Sequence, residues 1–331
     1  MMKKALLLFL VGSALLIACT GYAEISTELD GMNVAELIKL RQEVDRRILQ
    51  EASQTDHSDY SLDGFVYVSN GSEVHINYYE GNNPNVVIPA EIDGLPVTQI
   101  HERAFRDNKT IQSVIVSEGI VNLPNDFLCG CENLTSISLP EGITEIPSEC
   151  FDGCKNLTEL NLPQSVTKIG DWVLMNTGVK RIILREGIEE IARGAFQGAN
   201  ALEGIIILPT TLTKMGDYAF SVCHNITGFV VQSDIRIGES SFSGGKVELL
   251  YVKDGCNAVF EGAPFGAKLK TAILPASVTS IGDEVFASCN MLTIICPPGS
   301  YAESYAKSHF LMCDTEHYDQ YIQEYDAMIG Q

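Results

Sequence analysis

The side chains best suited to nucleophilic, redox or metal-binding chemistry in this sequence are those of ten cysteines and six histidines. Four cysteines occupy the same position of a repeated pattern, at Cys131, Cys154, Cys223 and Cys289. Their spacing of more than 20 residues lacks the paired Cys-x-x-Cys arrangement of structural zinc sites. Cysteine at a repeated interior position behaves as a small apolar side chain. We therefore predict that these four residues, the cysteine ladder, are buried thiols, with disulfide bonds as the alternative.

Candidates for disulfide bonds come from one close pair and from the C-terminal cysteines. Cys150 and Cys154 can be bridged only where a turn brings their Cα atoms within about 7 Å of each other. Cys256, Cys296 and Cys313 lie near the less regular C-terminal end of the chain. We predict these last three as the best partners for a disulfide bond.

The sequence lacks a recognisable catalytic constellation. The histidines share no metal-ligand spacing, and there is no His-Glu-x-x-His, phosphate-binding loop, Gly-x-Ser-x-Gly or paired-carboxylate signature. His224 follows Cys223, but a buried neutral thiol is inert as a nucleophile. We predict that the protein is not an enzyme and that it binds neither a metal nor a cofactor.

The elements that position these residues come from a repeat of about 23 residues between Val86 and Phe310. Three copies show it, at 136–158, 181–203 and 271–292. A period of this size indicates stacked units, each too small to bury its own apolar face. The sequence therefore predicts a repeat solenoid with a parallel β-strand face and short irregular or helical turns. About ten turns at roughly 4.8 Å each would give a rod on the order of 50 Å long.

Each copy opens with a strand that alternates inward and outward side chains. Ile137 and Leu139 are expected to point inward and Ser138 outward, and Pro140 ends the strand. An Ile-x-x-Ile pair follows, and then a phenylalanine that is expected to fill the turn. These phenylalanines are Phe105, Phe151, Phe196, Phe220 and Phe286.

These residues resemble the BspA-like class of leucine-rich repeat proteins over roughly 60–313. The Ile/Leu-Pro, Ile-x-x-Ile, Ala-Phe and Cys-x-x-Leu positions recur together in the pattern of that class. The resemblance implies a right-handed solenoid and a bacterial surface or secreted protein that binds host or neighbouring-cell surfaces. Residues 299–306 look like the closing turn of such arrays. The segment 228–270 departs from the pattern, because it loses part of the Ala-Phe element.

The segments outside the repeats suggest export and capping. Lys3 and Lys4 precede a short apolar run, as in a signal peptide, and Cys19 lies in a lipobox-like sequence that offers acylation as the alternative. Asn33 and Glu36 form a plausible capping box at the start of an amphipathic helix. The predicted segments are a signal peptide (1–23), an amphipathic helix and linker (24–56), a β-hairpin cap (57–85), the solenoid (86–313) and a short C-terminal helical cap (314–331).

The charge of the chain argues against two classes of partner. The formal net charge is −21 over 331 residues. Loss of the two lysines of the signal peptide would make it −23. Such a field repels phosphate backbones and anionic lipid, so we expect no nucleic acid partner and no membrane insertion once the signal peptide is removed.

The outward row of the strands offers the clearest functional clue. Its members are Ile115, Ser138, Asn161, Ile183, Ile207, Val230, Tyr251, Ile273 and Ile295. From Ile183 onward the row is apolar for six turns, and exposed apolar patches often mark interaction sites. Arg181, Arg185 and Glu159 are expected to form a polar rim. Two other interpretations are plain strand propensity and a terminal helix that lies over the row.

The function predicted from these observations is an exported, adhesin-like interaction protein. It would bind a protein or glycan outside the cell through the outward row, from Ile183 to Ile295, without catalysis. The alternative is a structural scaffold or self-associating envelope protein, such as a homodimer, with its strand face covered. The protein would be secreted or at the cell surface, or anchored as a lipoprotein through Cys19.

Overall fold

A computed structural model describes residues 60–329 of the chain, apart from 261, 263 and 264. The predicted signal peptide, Cys19 and the amphipathic helix at 24–56 lie outside the described residues. The described part contains twenty strands and two helices. Among its helices, none is long and apolar enough to cross a membrane.

The N-terminal strands form a five-stranded sheet in front of the repeats. Its strands are β1 (Tyr60–Leu62), β2 (Phe65–Ser69), β3 (Val74–Tyr79), β5 (Glu91–Ile92) and β6 (Leu95–Ile100), in the order β1-β2-β3-β6-β5. Strands β2 and β3 pair antiparallel as a hairpin. The Asn70 side chain closes their turn by accepting hydrogen bonds from the backbone amides of Ser72 and Glu73, at 2.9 and 3.1 Å. The Phe65 and Tyr79 rings pack on Phe105 of the first repeat and so join this sheet to the solenoid core.

One side of the solenoid is a face of parallel strands, which we call the strand face. It comprises β4 (Asn85–Ile88), β7 (Ser113–Val116), β8 (Ser136–Ser138), β12 (Glu203–Ile207), β14 (Asn225–Val231), β16 (Leu249–Val252), β18 (Thr271–Ile273), β19 (Thr293–Ile295) and β20 (Met312–Asp314). The first three strands form one sheet and the last six form another. Between them the pairing is reduced to a single parallel bridge from Glu159 to Arg181.

A second parallel sheet closes six successive turns on the other side of the core. Its strands are β9 (Glu145–Ile146), β10 (Lys168–Ile169), β11 (Glu190–Ile191), β13 (Lys214–Met215), β15 (Ile235–Ile237) and β17 (Ala258–Phe260). The chain passes so closely from turn to turn that Gly216 has no room for a side chain. A Cβ atom there would lie 2.7 Å from the backbone nitrogen of Arg193.

Charges alternate in sign along the outer side of this second sheet from β9 to β13, and the alternation ends where Lys214 stands opposite Arg236. Lys168 stands opposite Glu145 and Glu190 in register, and Lys214 stands opposite Glu190. Lys168 Nζ lies 2.9 Å from Glu145 Oε1, and Lys214 Nζ lies 2.8 Å from Glu190 Oε1. These exposed pairs contribute little stability individually, but they favour one register of successive turns.

The core between the two sheets contains a continuous stack of aromatic rings. Ring centroids of Phe196 and Phe220 lie 4.5 Å apart, those of Phe220 and Phe229 lie 5.0 Å apart, and those of Phe229 and Phe242 lie 4.2 Å apart. The stack continues through Phe265, Phe286 and Tyr305. Phe229 is supplied by a strand and Phe242 by a turn, so the irregular segment 228–270 keeps the core filled.

The structure confirms that the cysteine ladder consists of buried free thiols. The thiols of Cys131, Cys154 and Cys223 donate hydrogen bonds to carbonyl oxygens of the preceding turn, at 3.0 to 3.2 Å. Cys150 is also a free buried thiol, so the structure holds no bridge from Cys150 to Cys154. The ladder therefore serves packing and backbone hydrogen bonding.

Two helices follow the last full repeat. Helix α1 (Tyr301–Ser308) begins after Ser300, whose hydroxyl accepts a hydrogen bond from the Glu303 amide. Such an N-cap satisfies a backbone donor that the first turn would leave unpaired. Helix α1 occupies the stretch predicted as the closing turn. Helix α2 (Tyr318–Ile329) comes after β20.

Candidate partner-binding surface

The outward row predicted from the sequence is in register across the larger strand sheet. Ile207 stands opposite Val230, Val230 opposite Tyr251, Tyr251 opposite Ile273, and Ile273 opposite Ile295. The departure of segment 228–270 from the repeat pattern does not shift this register. The row is therefore a continuous line of apolar side chains along the solenoid.

Helix α2 covers the C-terminal part of this row. Val230, Tyr251, Ile273 and Ile295 are at most 2% exposed, and they form an apolar cluster that is separate from the main core. The helix contributes Tyr318, Tyr321, Ile322 and Tyr325 to that cluster. This spacing places all four side chains on one side of the helix. The prediction that Val230, Tyr251, Ile273 and Ile295 are exposed contact residues is therefore wrong for this structure.

The helix runs back across the strands from the end of the solenoid. The chain leaves β20 at Asp314, and at Tyr325 it has reached Tyr251 of β16, with the two ring centroids 5.7 Å apart. The Tyr251 hydroxyl donates a hydrogen bond of 2.7 Å to Asp326 Oδ1. Burial, and then this contact with the carboxylate, raises the pKa of Tyr251 above its ordinary value. A helix of 12 residues is about 18 Å long, enough to cover the roughly 14 Å between four parallel strands.

The N-terminal part of the row remains open around Ile183 and Ile207. Ile183 is 67% exposed, Ile207 is 40% exposed and Ile205 is 37% exposed. We call these three residues the open patch. The polar residues predicted around it are also accessible: Arg181 and Glu159 are exposed and Arg185 is half-buried.

Ile205 was not predicted as part of the site. It lies two positions before Ile207 in β12, and side chains two apart on a strand point to the same face. The neighbouring Gly228 lies close to it, since a Cβ atom there would lie 3.5 Å from Ile205 Cγ1 and 3.1 Å from Leu249 Cβ. The open patch thus ends at Gly228, which stands opposite Ile205 in the next strand.

Two more apolar residues of the strand face are exposed near its N-terminal end. They are Val87 and Ile115, which stand opposite each other in β4 and β7. The polar side chains of Ser138 and Asn161 separate them from the open patch. They therefore form a distinct, smaller surface.

One group of titratable side chains has the geometry of a metal site. Ligand atoms of Asp126, Cys129 and Glu149 all lie within 4.8 Å of one another. Arg106 Nη1, however, lies 2.6 Å from Asp126 Oδ2, and Arg103 Nε lies 3.3 Å from the same oxygen. Burial raises the pKa of the Cys129 thiol to about 11, which keeps it protonated near neutral pH. We interpret the group as a buried ion pair of Asp126 with two guanidinium groups.

Glu149 gives this cluster a testable pH dependence. Burial, and then the adjacent Asp126, raises its pKa above the ordinary 4.5. The folded chain therefore holds this proton more tightly than the unfolded chain, so stability falls as pH rises above 4.5. We expect Glu149→Gln to remove that fall and to raise the free energy of unfolding at pH 7 by less than about 1 kcal/mol. Urea denaturation at pH 4, 5, 6 and 7 would measure the free energy of unfolding of the variant and of the original chain.

The matched control for this prediction is Glu118→Gln, since Glu118 is an exposed carboxylate. It should leave the pH profile of stability unchanged. A Glu149→Gln profile that runs parallel to that of the original chain would contradict the prediction.

A polar cavity of about 580 Å³ opens beside the second sheet. Basic and acidic side chains line it together, and they include Arg193, Lys214, Glu190 and Asp217. The Arg193 guanidinium lies over the ring of Tyr218, 5.6 Å from its centroid. The cavity therefore offers hydrogen-bond donors and acceptors side by side.

The repeats identify the family of the chain. A family profile described as the BspA type leucine rich repeat region matches residues 77–203 and 175–293, with six copies. These ranges cover more than half of the chain, so the chain belongs to this bacterial repeat family. The comparison with curated proteins gives no match. None of the matches indicates a catalytic family.

Several solved structures are similar to this one. The leucine rich repeat protein of T. pallidum is 19% identical, with 78% of this chain and 99% of that chain covered and a TM-score of 0.44. A leucine-rich repeat protein from Bacteroides ovatus is 20% identical, with coverages of 72% and 82% and a TM-score of 0.42. A leucine rich cell surface protein from Faecalibacterium prausnitzii is 16% identical, with coverages of 77% and 99% and a TM-score of 0.36.

Proposed function

We propose that this chain is an exported bacterial interaction protein that binds a protein partner outside the cell through the open patch. Its role would be adhesin-like and would not involve catalysis. The observation that carries the proposal is the exposure of Ile183, Ile205 and Ile207 on two successive repeats of the solenoid. Export rests on the signal peptide expected before residue 24, with acylation of Cys19 as the alternative anchor.

The chemistry of the open patch favours a protein over a glycan at this position. Its three side chains are aliphatic, and burial of aliphatic area contributes about 25 cal/mol per Å². Arg181 and Glu159 lie beside one another at its border, since they form the parallel bridge between the two strand sheets. Charged residues at a rim mainly set specificity and association rate. A partner would therefore present an apolar centre with polar groups around it.

To test the proposal, residues 24–331, the chain expected after signal removal, are screened for binding to extracellular-matrix proteins, mucins and whole cells. We expect the double variant Ile183→Asp/Ile207→Asp to lose at least tenfold in affinity for the bound partner, because two carboxylates would enter an apolar contact. Circular dichroism would verify its fold. Binding would be measured by surface plasmon resonance.

The matched control is Val87→Asp/Ile115→Asp, which makes the same change at the far end of the strand face. It should retain binding. Equal binding by both double variants and the original chain would move the site away from the open patch.

A structural role is the second candidate, because α2 already covers four strands of the strand face. In that case the open patch would join two copies of the chain. Analytical ultracentrifugation distinguishes the two roles. A stable homodimer that Ile183→Asp/Ile207→Asp converts to a monomer, with no binding in the screen, would favour the scaffold.

A glycan partner is supported by a different part of the molecule, the polar cavity. Sugar hydroxyls both donate and accept hydrogen bonds, and the cavity supplies donors on Arg193 and Lys214 and acceptors on Glu190 and Asp217. Binding of mucin glycans that Arg193→Ala abolishes and Ile183→Asp/Ile207→Asp leaves intact would favour this site.

A further inference from the structure

Two of the three cysteines predicted as disulfide partners meet at the end of the solenoid. The sulfur atoms of Cys296 and Cys313 lie 3.6 Å apart. Cys296 follows β19 and is fully buried, whereas Cys313 lies in β20 and is half-buried. The two strands pair in parallel, and the Cys296 amide donates a hydrogen bond of 3.1 Å to the carbonyl oxygen of Asp314. The third candidate, Cys256, is a free thiol in the turn after β16.

We propose that Cys296 and Cys313 are a modification site that takes up a disulfide crosslink by thiol–disulfide exchange with an external low-molecular-weight or protein disulfide. One thiolate of the pair attacks the external disulfide and forms a mixed disulfide, and one external thiol leaves. The second thiolate then attacks the mixed disulfide and releases the second external thiol. The pair loses two electrons and two protons in total, and the external disulfide is reduced to two thiols.

The position of the pair in the fold favours closure. A disulfide bond is about 2.05 Å long, so the sulfur atoms must approach by roughly 1.5 Å. Strand β20 is three residues long and lies at the edge of its sheet, with β19 as its neighbour. Such a strand can shift more easily than one held on both sides. The ladder thiols differ, because each is held by a hydrogen bond to a backbone carbonyl.

The order of the two steps follows from accessibility. Cys313 is the half-buried member, so it would carry the mixed disulfide, and the buried Cys296 would resolve it. Burial, and then the contact with Cys296, raises the pKa of Cys313 to about 12. Little thiolate is present at neutral pH, so exchange in the folded chain should be slow and should accelerate as pH rises.

The crosslink would fasten the C-terminal elements to the solenoid. It joins positions 17 residues apart and encloses the whole of α1. Helix α2 starts four residues after Asp314, the last residue of β20. A fixed β20 would therefore hold the start of the helix that covers Val230, Tyr251, Ile273 and Ile295.

Peptide mapping of the full chain tests the proposal directly. The chain is incubated with oxidised glutathione at pH 8, alkylated, and digested with trypsin without reduction. Trypsin cuts after Lys270 and Lys307, so Cys296 and Cys313 fall in separate peptides, 271–307 and 308–331. We expect these two peptides to be linked, with a mass about 2 Da below their sum because two hydrogens are lost. The rate of linkage should rise from pH 7 to pH 9.

Two variants make the assignment specific. Peptide 271–307 also contains Cys289, so Cys289→Ser should keep the link, whereas Cys296→Ser should abolish it.

The oxidised chain should also exchange the β20 amides for deuterium more slowly than the reduced chain. Unlinked peptides, or glutathione that stays on Cys313 beside a free Cys296, would overturn the proposal. This mapping requires no variant, so a misfolded variant cannot leave the question open.

Discussion

Replacing Phe229 with alanine is expected to lower the free energy of unfolding by about 3–5 kcal/mol. Phe229 is fully buried, and its ring lies between those of Phe220 and Phe242 in the aromatic stack. The substitution removes the ring and leaves a cavity that neighbouring turns cannot fill without leaving their hydrogen-bonded register. Urea denaturation followed by circular dichroism would measure the loss.

The matched control for this prediction is Phe310→Ala. Phe310 is 97% exposed, so its truncation should change stability by no more than about 0.5 kcal/mol. Equal effects of the two substitutions would mean that the aromatic stack does not carry the stability of the solenoid. Each turn of a repeat protein contacts only its neighbours. The loss of stability should therefore be greatest in the turns around Phe229.

The second large effect is expected at the helix that covers the strand face. Ile322→Asp should detach α2, since Ile322 packs against the cluster formed by Val230, Tyr251 and Ile273. The change removes about 1.5–3 kcal/mol of apolar burial and places a charge in the contact. Helix α2 already carries Asp319, Glu324 and Asp326 and no basic residue, so repulsion adds to the loss.

Hydrogen–deuterium exchange would measure this detachment. We expect the α2 amides to exchange about 10- to 150-fold faster in Ile322→Asp, the range that corresponds to that loss of burial. The control is Gln323→Asp, which adds the same charge at an exposed position of the same helix. If both variants exchanged at the same rate, net charge and not apolar packing would hold the helix in place.

The repeat pattern predicted the core and the strand register because both depend on local periodicity. Alternation within a strand of three to five residues decides which side chains point inward, and a period of about 23 residues decides which residues stack. Cys131, Cys154 and Cys223 were assigned in this way without any knowledge of tertiary contacts. The register held even through 228–270, because Val230 and Tyr251 keep the strand alternation where the turn motif is lost.

The position of α2 could not be predicted by the same reasoning. Tyr318, Ile322 and Tyr325 define an apolar stripe, but the stripe fits either the end of the last turn or the strand face. Which of these two surfaces the stripe covers depends on the direction in which the chain leaves β20. No local sequence pattern encodes that direction. Ile205 was missed because only the middle outward position of each strand was considered. It lies two residues earlier, at the position that Ser136 occupies in β8.

The charges that alternate from β9 to β13 limit how this part of the array can change length. Deletion of the turn that contains Lys168 would bring Glu145 beside Glu190, and deletion of the Glu190 turn would bring Lys168 beside Lys214. Either event replaces an attraction with a repulsion between neighbouring strands. Loss or duplication of two turns at once preserves the alternation. Over this stretch, the unit of insertion and deletion during evolution is therefore expected to be a pair of repeats.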